Sequence, residues 1–261
     1  MNVDIAHLRE RLGNAYALVD YVAQTGSTNA DLLARGELLD KTVLIAGHQT
    51  AGRGRMGRSF TAPEGTQLIF SVGLRPGPEE LERLGVLPLA AGLAVTDAIP
   101  DTQLKWPNDV LMAGGKVCGI LCEADGLGGQ TSPRVVLGCG LNVSFSADEA
   151  PVDTATSLAI EGSPLATVGM EELAARVLGA LARRLEQWQS ADDRLIAEYR
   201  MASATLGQAV RVATPSGELE GIAEDVASDG QLVMITEDNQ HRLLSAGDVT
   251  HLRLWCPSTE V

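Results

Sequence analysis

The chain has 261 residues, enough for one large domain or a large and a small one, and 45% of them are apolar, enough to fill a core. A formal net charge of −14 leaves most of the surface repelling nucleic acid, and ordinary charge content with frequent apolar runs excludes a disordered chain. The start, MNVDIAHLRERLG, lacks the apolar segment of a signal peptide, and no apolar run approaches the ~20 residues of a membrane span, so a cytoplasmic protein is expected.

Residues 1–20 read as a short helical or loose lead-in. Ser27 or Thr28 is placed to cap a helix carrying Asp31, Leu32 and Leu33 and ending near Gly36. TVLIAGHQ (42–49) is a buried strand that runs into a loop of glycine and arginine, and QLIFSVGL (67–74) is the next strand. Pro88 suits the first turn of a helix, LPLAAGLAVTDAI. LKW (104–106), DVLM (109–112), KVCGILCEA (116–124) and RVVLGCGLNV (134–143) follow as strands, with Gly114-Gly115 expected as a hairpin turn. A helix over 171–188 aligns Leu173, Val177, Leu181, Leu185 and Trp188 on one face. From Thr205 the pattern becomes short strands broken by PSG, SDG and DNQ turns. The expectation is an α+β domain over 1–204, with a mixed sheet and flanking helices, then a small all-β domain over 205–261.

Chemistry concentrates in a few segments. Gly52-Arg53-Gly54-Arg55-Met56-Gly57-Arg58 combines glycines that allow close backbone approach with arginine forks suited to phosphate or carboxylate. The stretch also matches G-x-G-x-x-G, but SFTAPEG follows it instead of a helix, which argues against a dinucleotide turn. Gly114-Gly115-Lys116 is followed by Val117, so a Walker A loop fails as well. Lys105-Trp106-Pro107-Asn108-Asp109 joins two strands; it reads as a turn with a packed tryptophan or as part of a site. Lys116 lies seven residues beyond Asp109, and on a short hairpin that returns it to nearly the same place, so the two could face one site. Gly26-Ser27-Thr28-Asn29 and Gly138-Cys139-Gly140-Leu141-Asn142 are weaker signals, for which a cap and a bulge suffice. Cys118, Cys122, Cys139 and Cys256 have no histidine at zinc spacing and read as thiols of a reducing compartment.

Taken in order, GSTN, HQTAGRGRMGR, KWPND, GGKVCGIL and GCGLNV resemble the biotin–protein ligases over about residues 20–255. The resemblance implies a catalytic domain of the biotin/lipoyl-ligase type followed by a small SH3-like β-barrel. It implies biotin contacts from Ser27, Thr28, Asn29, Gln49, Arg53, Gly54, Arg55, Lys116 and Gly119. ATP contacts would come from Arg53, Arg55, Arg58, Phe60, Lys116 and Asn142, and catalytic roles fall to Lys116, Asp109 and Arg55. ATP and biotin are the implied substrates, with Mg²⁺ on the phosphates and its protein ligands unassigned. The implied partner is the biotin carboxyl carrier domain of acyl-CoA or pyruvate carboxylases, with no nucleic acid and no membrane.

Two departures stand out. Many bacterial members carry a winged helix-turn-helix ahead of GSTN, whereas here GSTN begins at residue 26, so a ligase without repressor function is expected. Phe60 stands where the family usually has a tryptophan beside the adenine, which keeps a stacking face of smaller area. The competing readings are a lipoate or octanoate ligase of the same fold and a non-catalytic biotin-binding regulator. KWPND together with GRGRMG favours biotin.

Overall fold

A computed structural model describes residues 3–128, 132–214 and 217–252. Its elements are α1 (Ile5–Leu12), β1 (Leu18–Val22), α2 (Thr28–Ala34), β2 (Thr42–Ala46), β3 (Gln67–Leu74), α3 (Pro78–Leu81), α4 (Leu87–Ala98), β4 (Thr102–Lys105) and β5 (Asp109–Met112). They continue with β6 (Gly115–Asp125), β7 (Arg134–Asn142), α5 (Met170–Gln189), α6 (Arg194–Ala202) and the short strands β8 (Ala209–Thr214), β9 (Gly217–Val226), β10 (Leu232–Thr236), β11 (His241–Leu244) and β12 (Asp248–His251). Cys256, Pro215, Ser216 and the end of the last expected strand lie outside the described residues.

The strands form a seven-stranded mixed sheet, in the order β1-β2-β3-β7-β6-β5-β4, and a five-stranded antiparallel sheet, β11-β10-β9-β8-β12. Only β1 and β2 pair in parallel within the larger sheet. The α+β expectation holds. The lead-in contains a strand where the sequence pattern shows none: β1 lies at the sheet edge, and only its Val19 is fully buried, so its apolar signal is weak. Helix α6 is a second element without a sequence expectation; it buries Leu195, Ile196 and Tyr199.

Strand alternation divides the larger sheet into two faces. Val43 and Ile45 of β2, Leu68, Phe70, Val72 and Leu74 of β3, and Val135, Leu137, Cys139 and Leu141 of β7 enter one core with α4, α5 and α6. The opposite face presents Ile69 and Ser71 of β3 with Gly138, Gly140 and Asn142 of β7, and α2 packs against this side through Leu32. The N-terminus of α2 thus meets a floor of glycine and polar residues.

The β5–β6 hairpin departs from a regular ladder. Asp109 faces Gly119 and Val110 faces Cys118, but Leu111 faces Lys116, so Val117 is an extra residue. This bulge moves Lys116 onto the face shared by Asp109 and Gly119; a regular ladder would have put Val117 opposite Leu111. The turn is Ala113-Gly114, with φ of 48° and 85°, one residue earlier than expected. Gly115 belongs to β6, where a Cβ would come within 2.8 Å of Thr156 Cβ.

Trp106 joins the two sheets. It is 2% exposed, its backbone N–H donates to Thr205 Oγ1 at 3.0 Å, and its indole N–H donates to the Gly230 carbonyl at 3.0 Å. Gly247 packs over the same ring, and a Cβ there would sit 2.4 Å from Val212 Cγ1.

Candidate active site

A cleft on the polar face of the larger sheet encloses ≈ 480 Å³ of unfilled space, part of it open to solvent. Ser27, Thr28, Asn29, Gln49, Arg53, Gly54, Arg55, Phe60, Lys116 and Gly119 all line it. Segments far apart in the chain therefore converge, as their chemistry required.

One end of the cleft is a hydrogen-bonded polar network. The backbone N–H and the hydroxyl of Thr28 both donate to Gln49 Oε1, at 2.7 and 2.9 Å. The pairing is set by the backbone, because Thr25 and Gln49 form a parallel bridge that prolongs β1 and β2. Ser71 Oγ lies 2.6 Å from both Thr28 Oγ1 and Asn29 Oδ1, and its single proton serves one of them at a time. The Asn29 amide donates to the Leu121 carbonyl at 3.2 Å and to Glu123 Oε2 at 2.9 Å. Ser27 caps α2, its hydroxyl accepting from the N–H of Ala30.

The floor is glycine. Gly119 and Gly140 are register partners on β6 and β7, and the Phe60 ring lies against both. A Cβ at Gly140 would come 2.3 Å from Phe60 Cε1, and one at Gly138 would come 2.4 Å from Asn29 Oδ1. No bulge occurs at these glycines; they alternate along a regular strand so that the cleft side stays bare.

At the other end stand the charges. Lys116 Nζ lies 2.6 Å from Asp109 Oδ1 and 5.9 Å from the centre of the Phe60 ring. The strand carrying Lys116 is held on its free edge by residues 154–156: Lys116 N–H donates to the Thr154 carbonyl at 2.7 Å, and Thr156 N–H to the Lys116 carbonyl at 2.9 Å. Asn142 is buried behind this strand, 4% exposed. Its amide donates to the carbonyls of Lys116 at 3.2 Å and Thr156 at 2.9 Å, while its oxygen accepts from Gln67.

The arginine loop is a narrow hairpin. Phe60 N–H donates to the Gly52 carbonyl, Gly54 N–H to the Arg58 carbonyl, and Met56 and Gly57 at the tip have φ of 54° and 75°. Arg53 pairs with Glu123 at 3.3 Å. Arg55 donates to Asn108 Oδ1 and to the Gly247 carbonyl, each at 3.2 Å. Burial pulls the Arg55 guanidinium below its usual range, and Asp109 opposes that pull. Arg55 is thus a partly desolvated cation bonded to neutral oxygens, able to accept an anion. Arg58, expected among the ATP contacts, does not line the cleft and pairs with Asp248.

The sequence gives Ser71 and Glu123 no place in the site, and it marks Asn108, Gly138 and Gly140 only as members of their motifs, without a contact of their own. A hydroxyl in the otherwise apolar run of β3 is a signal for Ser71, and the period-two spacing of Gly138, Gly140 and Asn142 is one for the floor. Nothing in the sequence points to Gly247 or Asp248. The thiols stay outside the chemistry: burial pushes Cys122 up to about 12, and a contact with Cys118 together with burial raises Cys139. Among the described residues no cluster of three or more His, Cys, Asp or Glu side chains is arranged to hold a metal.

Residues 21–142 match the biotin/lipoate A/B protein ligase family, and residues 205–252 match the biotin protein ligase C-terminal domain. A biotin–[acetyl-CoA-carboxylase] ligase of Mycobacterium tuberculosis is 46% identical, the alignment covering 96% of each chain. One from Paracoccus denitrificans is 34% identical over 82% of this chain and 92% of its own length. The structure of a biotin protein ligase from Aquifex aeolicus in complex with biotin and ATP superposes with a TM-score of 0.76 at 26% identity, covering 91% of this chain and all of that one.

Proposed function

The chain belongs to the biotin protein ligase family, and from that premise we infer that it activates biotin with ATP and passes the biotinyl group to a lysine of a carrier protein. The carrying observation is the juxtaposition of Lys116, Asp109 and Arg55 beside a polar pocket with a glycine floor. In the first half-reaction a carboxylate oxygen of biotin attacks the α-phosphorus of ATP, the bond to the β-phosphate breaks, and pyrophosphate leaves. Two anions must approach, so fixed cations have to offset their repulsion and the charge of the transition state. We assign that task to Lys116 and Arg55, with Asp109 orienting the lysine. The network of Ser27, Thr28, Asn29 and Gln49 receives the ureido end of biotin; Arg53, Gly54 and Gly119 flank it. Phe60 offers a stacking face to adenine and Asn142 acts by fixing the backbone at Lys116; Arg58, paired with Asp248 outside the cleft lining, contributes no phosphate contact. In the second half-reaction the neutral amine of a carrier lysine attacks the acyl carbon, AMP leaves, and the amine loses a proton.

Mg²⁺ fits the donor set in a restricted way. Asp109 is the carboxylate beside Lys116, and among the described residues no protein cage accompanies it, so the ion would be held chiefly by the substrate phosphates and would neutralise their charge. The carrier is proposed to be the biotin carboxyl carrier domain of an acyl-CoA or pyruvate carboxylase. Residues 1–204 are proposed as the catalytic domain and 205–261 as its small partner. Among the described residues no helix is long and apolar enough to cross a membrane, and we propose a cytoplasmic location with no nucleic-acid partner.

Biotin-dependent exchange of labelled pyrophosphate into ATP is the test. Exchange is expected with biotin, ATP and Mg²⁺ in the absence of any carrier. Exchange with lipoate and none with biotin would overturn the assignment, and biotin binding without exchange would leave a non-catalytic module.

A further inference from the structure

We propose that Asp248, on the C-terminal sheet and outside the cleft, is a positioning residue that holds the arginine loop through Arg58. The proposal rests on the reading of that loop as the cover of the adenylate. Three observations converge on it. Asp248 opens β12 and pairs with Arg58, the last arginine of the loop. The neighbouring Gly247 carbonyl accepts from Arg55, so two successive residues of one turn grip two arginines of one hairpin. The turn itself has little freedom, because Gly247 is wedged between Val212 and the Trp106 ring, while Asp248 is in register with Ala213 on β8. The C-terminal sheet therefore offers a fixed post to a hairpin whose tip has left-handed backbone at Met56 and Gly57.

The second end of the hairpin has its own carboxylate, since Arg53 pairs with Glu123 on β6. With Glu123 at the start and Asp248 at the finish, the loop is tied at both ends, and Arg55 lies between the two supports in sequence. Ordering a glycine-rich segment costs entropy, and contacts made before the ligand arrives remove part of that cost from binding. Asp248 touches no reacting group, so its effect is on loop position and on nucleotide affinity.

The test uses the full chain with Asp248→Ala and Asp248→Glu. Brief trypsin treatment without ligands cuts after arginines of a loop that opens, and peptide masses separate Arg53, Arg55 and Arg58 from Arg211 and Arg242 elsewhere on the C-terminal sheet. Asp248→Ala is expected to raise cleavage in the loop about three- to fivefold, the ratio that one half-exposed ion pair supplies. Arg211 and Arg242 should be cut at the wild-type rate, and Asp248→Glu should restore protection of the loop. The KM for ATP should rise by a similar factor in Asp248→Ala with kcat held, because Lys116 and Asp109 are untouched. Loop cleavage unchanged in Asp248→Ala, failure of glutamate to rescue it, or faster cleavage at every arginine alike would overturn the proposal. If the wild-type protein shows no biotin-dependent exchange, the ligase reading falls, and the cleavage pattern still decides whether Asp248 holds the loop.

Discussion

Lys116 makes an ion pair and awaits a second anion. The Asp109 Oδ1 that faces it is buried with no hydrogen bond of its own, so losing the lysine leaves that oxygen uncompensated and should cost folding about 1–3 kcal/mol. A positive charge withdrawn from the reacting phosphate should raise the barrier by roughly 3 kcal/mol, more than a hundredfold in rate. Lys116→Ala is thus expected to fold and to melt a few degrees below wild type while pyrophosphate exchange collapses; a variant that exchanges normally would remove Lys116 from the chemistry. Arg55 makes a different forecast. Arg55→Gly removes its bonds to Asn108 and Gly247 and frees the hairpin, while the Lys116–Asp109 pair stays. A contact of about 1.4 kcal/mol is a factor of ten, so adenylate should still form but escape about tenfold faster. Incubation with biotin, ATP and an unrelated protein reads this as biotin on bystander lysines, and labelling at the wild-type level would count against the loop as a cover. Burial raises Cys122 to about 12, so little of it is thiolate at neutral pH and alkylation there should be slow in the native protein and fast after unfolding.

Strand parity decides which side chains reach the cleft. The one-residue bulge at Val117 aims Lys116, and the alternation of β7 keeps Gly138 and Gly140 under the ligand. Gly138→Ala would drive a methyl group into Asn29, which is 4% exposed and hydrogen-bonded to Ser71, Leu121 and Glu123. Such overpacking should cost about 1–3 kcal/mol of stability and weaken biotin binding together. Gly179 is the contrast: it lies within α5 with open space where a methyl group would stand, so Gly179→Ala should raise the melting temperature through helix propensity worth about 1 kcal/mol. Calorimetry on the two variants should move in opposite directions. At this level the sequence was legible wherever burial imposed a period: β3, β7, α4 and α5 appear within a residue of expectation, and β2 starts where expected and ends three residues sooner. Edge strand β1 and the bulge were not, because one is only partly buried and the other depends on pairing that no local pattern encodes.

The whole molecule sets a charge and a connection. With a net charge of −14, and with Arg53 and Arg58 already paired to carboxylates, little positive surface remains for phosphates of a duplex. Sequence-specific DNA binding should be absent with or without biotin and ATP, and a salt-sensitive, selective gel shift at nanomolar protein would contradict that. Motif order foretold the cleft, since Ser27, Gln49, Arg55 and Lys116 do converge there. It did not foretell that the C-terminal sheet reaches the arginine loop, because Gly247 and Asp248 gain their meaning only from the turn's place beside Trp106. That tryptophan has a thermodynamic consequence. Its indole N–H is satisfied by a carbonyl of the smaller sheet, and its backbone N–H by Thr205 at the junction. Parting the sheets would strand both donors and uncover a large ring, so neither sheet gains by melting before the other. Heat should therefore unfold the protein in one cooperative step, with calorimetric and van't Hoff enthalpies equal; two resolved transitions would show that the sheets come apart first.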